Sequence, residues 1–543
     1  NAGDVTSGYN NAGGITGRNN GTIDNCANAG NIAVKKIANF GRMYNTVGGI
    51  TTNMTGAYVR NVLNVGAVSA EEGNTVGGIV ANLYANGTSK GRGKNDILYA
   101  VNYGNVSSPE PITNGMVAGM NTNQTVLEST ARVVAYYDDQ TAMYGAYRNQ
   151  NFEGMHGLTT AQMTSGTPLD SLSTDYWQFD AGKYPVLKSF ADEPALQAAR
   201  SMIMTLPAGV TVRDMTADAT LNNGGTWSVD PATYFSISGS TLKTGAVPKV
   251  KQNATVKCTA QDFTRTIDIT RNPPVPLTGE GTQASPYLIN SVDDWTDLAA
   301  YIAAVHDNFA GKFLKLTADL TFTSEVPELF AADEDKLMGV LDGDGHTVDF
   351  GNNQFTTVNT YHAPIRIIGE EGELKNFTFK GAYKGTKTYC AGVTAKVYGK
   401  LTNITSEVSY TASSGSGASA FGCAYEGARI EKVVNKGVIT APSTYVGTLF
   451  SDGGRHVEFI DCGNEGTLIS TYSGTAPSTS QSIGGLIGNA VSPKLTRCYN
   501  KGTFNLKKAD VMYGIGGLIG YLRSYTGNTD STVLIDCYNT ANI

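Results

Sequence analysis

Apolar positions along the chain fall in short alternating runs, separated by breaks rich in glycine and asparagine. Such alternation predicts half-buried strands, and the breaks predict turns between them. A 3.6-residue period stands out at one place. After Ser291, residues Trp295, Leu298, Ala299, Ile302 and Val305 line one side of a predicted helix that Ser291 caps. No run reaches the roughly 18 apolar residues of a membrane-spanning helix.

The alternation is organised around a recurring phrase, clearest at Ser482–Thr503 (SIGGLIGNAVSPKLTRCYNKGT), with versions at Val47–Val68 and Ile515–Asn539. It joins a Gly-Gly-apolar segment to an apolar segment that ends in Cys-x-Asn-x-Gly. The asparagines Asn1, Asn28, Asn64 and Asn102 recur at steps of 27, 36 and 38, and Asn435, Asn464, Asn500 and Asn539 at steps of 29, 36 and 39. Cores that stay fixed while the arms between them vary are the mark of stacked repeats. Each repeat offers three strand candidates, for example Val47–Thr51, Val59–Leu63 and Ala67–Ser69. The expected fold is therefore all-β. Glycine permits close approach of neighbouring rungs. Asparagine tolerates the left-handed region, and its amide can bond to its own equivalent one rung away.

The expected organisation has three parts. Residues 1–190 form a parallel β-helix unit closed by a cap at 125–190, because a stack ends in a strand edge that needs cover. Residues 195–272 alternate between turns every 8 to 14 residues and predict an Ig-like β-sandwich with Trp227 in its core. A stiff Asn272–Pro276 linker follows. Residues 277–543 form a second parallel β-helix, its N-terminal helix capping the first rung and the stretch 365–430 adding rungs. Right-handed winding is expected of parallel crossovers.

The net charge of −7 and sequence pI of about 5.4 exclude a general nucleic-acid binder. The seven cysteines form no C-x-x-C pair. Cys26, Cys462, Cys498 and Cys537 share one place in the phrase, which suits either small buried residues stacked inside the rungs or a ladder of disulfides or metal ligands. No signal peptide is present, and the chain opens on Asn1 in mid-phrase, as a trimmed mature chain would.

The GGLIG and C-x-N-x-G phrase resembles the GLUG-type repeats of adhesin-like cell-surface proteins of gut Bacteroidetes. It is also similar to the non-catalytic N-terminal region of IgA-specific metallopeptidases. The opener GEGTQASPYLI (Gly279–Ile289) with LDGDGHTVDF, and the closer YYDDQ…TTAQM…YPVLK, resemble the start and end of such units. The resemblance implies export, lipid or cell-envelope anchoring outside this chain, and a binding or spacer role at the outer membrane surface. Its peptidase activity does not carry over. The zinc motif needs His followed by Glu, whereas the five histidines precede Gly157, Asp307, Thr347, Ala363 and Val457.

Other candidate chemistry is sparse. A G-x-S-x-G match at Gly87–Gly91 lacks the strand–turn–helix setting of a nucleophile. Asp342–Gly345 has the start of a calcium loop without its later carboxylates and reads as an acidic turn. Asp24, Asp461 and Asp536 recur beside the phrase, as turn residues would. A glycosidase or lyase needs clustered carboxylates on consecutive rungs, and none is evident, so no catalytic, cofactor or metal residue is assigned. Binding is expected in the inserts Tyr84–Asp96 (with Lys90, Arg92 and Lys94), Thr411–Ser419, Ser470–Ser482 and Arg523–Thr532. Tyr136, Tyr137, Tyr144 and Tyr147 either pack the cap or form a sugar platform. The expected function is a non-enzymatic adhesin that binds a host or dietary glycan or protein, with a structural stalk as the alternative.

Overall fold

The computed structural model describes residues 1–543 except 9–10, 36–45, 72–74, 84–94, 109–113, 121–130, 147–152, 334, 353–359, 414–416, 443, 473–477, 508–511, 524–530 and 542–543. The chain is predominantly β, with parallel sheets. It divides into two compact units, Asn1–Pro274 and Val275–Ile543.

In the first unit each repeat contributes four strands, not three. The Gly-Gly pair splits the expected Val47–Thr51 strand into Thr46–Gly48 and Thr51–Met54. These belong to separate sheets, and both pair in parallel with the equivalent strands of the next repeat. The longest sheet takes Thr22–Asn28, Tyr58–Asn64, Asn95–Asn102, Ala131–Asp138 and Met155–Leu158 in that order. Register pairs like with like: Asn28 faces Asn64, which faces Asn102.

The phrase asparagine holds this register. Asn28, Asn64 and Asn102 are fully buried. Each side-chain Nδ2 donates to the Oδ1 of the next, at 2.9 Å for Asn1 to Asn28 and 2.8 Å for both later steps. Each Nδ2 also donates to the carbonyl of the glycine two residues on. The second glycine of the Gly-Gly pair packs flat against this amide: a Cβ on Gly49 would sit 2.0 Å from the Gly78 carbonyl and 2.5 Å from Asn64 Cγ. That contact explains why Gly-Gly and Asn-x-Gly recur in phase. The asparagine does not occupy the left-handed corner, contrary to expectation. That conformation falls three residues earlier, at Asn25, Asn61 and Tyr99.

The ladder ends where Asn102 faces Tyr137. Ala131–Asp138 is thus a further rung and not part of a separate closing segment. Beyond it lie the short helix Thr160–Met163, capped reciprocally by Thr159 and Gln162, and the antiparallel pair Trp177–Gln178 and Val186–Leu187. The helix Pro194–Ser201 and two antiparallel sheets complete the unit. One sheet takes Met204–Thr205, Ala219–Leu221, Thr241–Thr244 and Phe235–Ser238; the other takes Thr226–Asp230, Gln252–Ala260 and Phe263–Arg271. Phe235, Leu242, Val256, Ile267 and Ile269 fill the space between them. Trp227 is half-buried at its rim, its Nε1 donating to the Asn222 carbonyl at 2.8 Å.

Buried polar groups knit this unit together. Asp138 is fully buried and accepts from Thr160 Oγ1 at 2.7 Å and from the Tyr184 hydroxyl. Arg265 lies 4.7 Å from the Tyr184 ring centre and 5.7 Å from that of Tyr103. Its charge opposes the rise that burial imposes on the Asp138 carboxyl pKa.

The second unit repeats the ladder. Asn435, Asn464, Asn500 and Asn539 are joined by Nδ2-to-Oδ1 bonds of 2.9 Å. At its start Asn435 faces Ser406, and Asn435 Oδ1 and Ser406 Oγ are both buried without partners. The helix Val292–Val305 forms as expected, with Ser291 Oγ accepting from Asp294 N at 3.1 Å. Trp295, Leu298, Ala299 and Ile302 enter the common core with Leu314, Phe322 and Leu329. Long paired strands Glu373–Gly385 and Lys400–Ala412 fill the stretch where the phrase is degenerate. All seven cysteines are free thiols; Cys462 and Cys498 are buried, whereas Cys26 and Cys537 are half-buried.

Two expectations follow. Asn464→Ala orphans an acceptor above and a donor below, and should cost about 2 kcal/mol in urea unfolding, while Asn539→Ala at the exposed ladder end costs much less. Gly485→Ala places a Cβ 1.9 Å from the Gly517 carbonyl and should cost about 1–3 kcal/mol by overpacking. Gly17→Ala, with open space around its Cβ, serves as the control.

Candidate functional site

The second unit carries a six-stranded parallel sheet of Ile365–Ile368, Thr394–Val397, Cys423–Ala424, Phe450–Gly453, Ile487–Ala490 and Ile519–Leu522. Alternate positions face opposite ways. Ile368, Val397, Ala424 and Ala490 turn into the core. The neighbouring register row runs Ile367, Lys396, Cys423, Asp452, Asn489 and Tyr521. This outer row places charge and amide groups side by side on a rigid frame.

Five half-buried tyrosines, Tyr361, Tyr389, Tyr398, Tyr425 and Tyr445, cluster over that row. Tyr361 stacks on Tyr389 with centroids 5.1 Å apart, and Tyr398 on Tyr425 at 4.3 Å. Tyr361 and Tyr425 share a side-chain hydrogen bond that joins the two pairs. Tyr361 and Tyr389 have φ of 58° and 55°, a left-handed conformation that costs bulky residues of order 1–3 kcal/mol and is found preferentially at functional sites. Burial raises the phenol pKa values of Tyr361, Tyr389, Tyr398 and Tyr425, that of Tyr398 to about 12, so these four rings stay neutral.

Ion pairs frame the tyrosines. Arg523 Nη2 donates to both Asp452 oxygens, at 3.0 and 2.9 Å, and its guanidinium carbon lies 5.9 Å from the Tyr445 ring centre. Asn489 Nδ2 donates to Asp452 Oδ1 at 3.3 Å. Burial raises the Asp452 carboxyl pKa, and the Arg523 charge opposes that rise. Asp333 faces Arg366 at 2.8 Å and Lys396 at 3.4 Å. Lys396 Nζ in turn sits 4.3 Å from the Tyr361 ring centre. Lys336 pairs with Glu370 at 3.1 Å beside Tyr398. Burial pushes the Cys423 thiol up to about 12, which leaves it an inert floor residue.

At the edge of this face Tyr383 shares a hydrogen bond with His362 Nδ1, and His362 Nε2 lies 3.7 Å from Glu328 Oε2. Burial lifts Glu328 to about 7 and lowers His362 to about 4. The folded state thus favours a protonated carboxyl and a neutral imidazole.

The residues singled out in the sequence serve the scaffold. Asp342 Oδ1 accepts from Asp344 N at 2.9 Å and Asp342 Oδ2 lies 3.5 Å from Lys375 Nζ, which makes an acidic turn already neutralised. Asp461 receives two bonds from Arg497, at 2.6 and 2.8 Å. Asp461 and Asp536 take the left-handed corner, and Asp24 sits next to it, accepting from Asn61 at 3.1 Å. Tyr136 and Tyr137 are buried, and Tyr144 is half-buried with its hydroxyl donating to the Ser108 carbonyl at 3.0 Å. These rings pack the fold and form no surface platform. Gly87–Gly91, Tyr147, Lys90, Arg92, Lys94 and residues 84–94, 414–416, 473–477 and 524–530 of the four inserts lie outside the described residues. Among the described residues no group of three His, Cys, Asp or Glu side chains could hold a metal ion, and no helix is long and apolar enough to cross a membrane.

Sequence reasoning missed the tyrosine face. Its signal was spacing: Tyr361 to Tyr389 and Tyr398 to Tyr425 are separated by 28 and 27 residues, one rung in this part of the chain.

The opposed shifts give a pH prediction. Glu328, raised above its unfolded value, adds stability at low pH that is lost as pH rises toward about 7. His362, lowered, adds stability that is lost as pH falls from about 6.5 toward 4. The two slopes offset one another between about pH 4.5 and 6.5. Glu328→Gln should unmask the histidine, so that stability rises by up to about 3 kcal/mol across that window; thermal unfolding at several pH values checks this.

No protein-family profile matches the chain, and no curated protein matches its sequence. A crystal structure of a "putative immunoglobulin A1 protease" from Bacteroides ovatus aligns with 49% of this chain and 86% of its own, at 14% identity and a TM-score of 0.29. Similarity at that level transfers neither fold nor activity.

Proposed function

We propose that the chain is a non-enzymatic, adhesin-like protein of a bacterial cell surface, and that it binds a host or dietary glycan. The observation that carries this reading is the run of five half-buried tyrosines over a row of fixed polar side chains on one rigid sheet. Glycan sites combine aromatic faces, which stack against C–H-rich sugar faces, with a few placed hydrogen-bonding groups. The paired carboxylates Asp452 and Asp333 argue for binding over catalysis, because each is already committed to a cation. The scaffold in this reading is a pair of right-handed parallel β-helices, residues 1–190 and 277–543, with an Ig-like sandwich at 195–272. The resemblance of the repeat phrase to GLUG-type repeats supports the surface location and anchoring outside this chain. The laddered arrays also suit a second reading, a stalk that holds another binding part away from the surface.

An array of plant polysaccharide fragments, mucin glycans and glycosaminoglycans separates these readings. The adhesin reading expects binding to at least one glycan, reduced at least tenfold in Tyr389→Ala/Tyr425→Ala protein that keeps its thermal transition. Silence across the array leaves the stalk. Released oligosaccharides would establish an enzyme instead.

A further inference from the structure

We infer that the Tyr389–Tyr445 end of this face, with Asp452 and Asn489, is a subsite for an uncharged pyranose, read through its hydroxyl groups. The inference rests on the glycan-binding reading and adds the ligand class and the reading atoms.

Two independent observations support it. The first is a buried acceptor without a donor. Asn489 is fully buried, and its Oδ1 has no hydrogen-bond partner. Its orientation is fixed, because the other amide atom, Nδ2, donates to Asp452. Leaving such a carbonyl unmet costs about 1–3 kcal/mol, which a hydroxyl donor would recover. Beside it Asp452 presents a carboxylate, an acceptor for a second hydroxyl. Two adjacent acceptors on one register row match neighbouring hydroxyls of a sugar ring, whose apolar face would lie on the tyrosines.

The second observation is charge. Each cation of the face already meets a carboxylate: Arg523 with Asp452, Arg366 and Lys396 with Asp333, and Lys336 with Glu370. At this end of the face a uronate, sialyl or sulfate group would have to displace Asp452 from Arg523 and leave a mostly buried carboxylate unpaired, at substantial cost. An uncharged sugar leaves that pair in place. The subsite therefore selects against acidic glycans because Arg523, the cation beside it, is already held by Asp452.

The test is calorimetric titration of the full chain with neutral hexasaccharides of cellulose, xylan, mannan and galactan, and with oligogalacturonate and sialyllactose. At least one neutral ligand should bind, with the acidic ones at least tenfold weaker even at low salt. Asn489→Ala should weaken the neutral ligand about tenfold, Asp452→Asn should do likewise, and Asn403→Ala, on another face, should not. Asp452→Asn keeps the side-chain shape and serves if Asn489→Ala does not fold. Neutral binding untouched by both variants overturns the subsite while leaving glycan binding intact. Preference for the acidic ligands overturns the ligand class. Failure of the folded chain to bind any glycan overturns both this inference and the reading beneath it.

Discussion

The side-chain amide ladder is the interaction on which the repeat depends. A parallel strand pair slipped by one residue turns every side chain to the wrong face, so something must fix register in rungs whose arms differ in length by ten residues or more. Buried asparagines do this, since each amide bonds the equivalent amide in the rungs above and below. The same amide bonds the glycine two residues on and lies against the second glycine of the Gly-Gly pair. Asparagine, Gly-x and Gly-Gly are thus three parts of one contact. Changing any part leaves a buried polar group unmet or a Cβ without room.

That unity explains which features were legible. Asn-x-Gly in phase with Gly-Gly announced the stacked parallel strands, and Ser291 with its apolar stripe announced the helix, because each is a local rule with a local cause. The fourth strand was hidden, because a turn at Gly49 looks like a strand that continues. The left-handed corner was also hidden: Asn25, Asn61, Tyr99 and Arg497 share it without sharing a residue type. The polypeptide imposes that conformation through the ladder on either side, so composition carries no trace of it.

The tyrosine face was hidden for a different reason. Its rings lie a full rung apart along the chain, and only the stacking of rungs brings them together. Tyr136 and Tyr137, adjacent in sequence and conspicuous, proved to be packing residues. Proximity in sequence favoured the wrong cluster. The face and the ladder also use polar groups in opposite ways. Inside the ladder donors and acceptors cancel, and only at its start does Asn435 Oδ1 go unmet, whereas on the face Asn489 keeps an acceptor without a partner.

The ladder has a direction. In both units Nδ2 of one rung donates to Oδ1 of the next rung along the chain, so every rung offers a donor on one side and an acceptor on the other. Any rung can therefore sit on any other. Removing one repeat, or copying it, leaves the line of amides closed. Reach then becomes a quantity that evolution can adjust by whole repeats, without redesigning the amide joints.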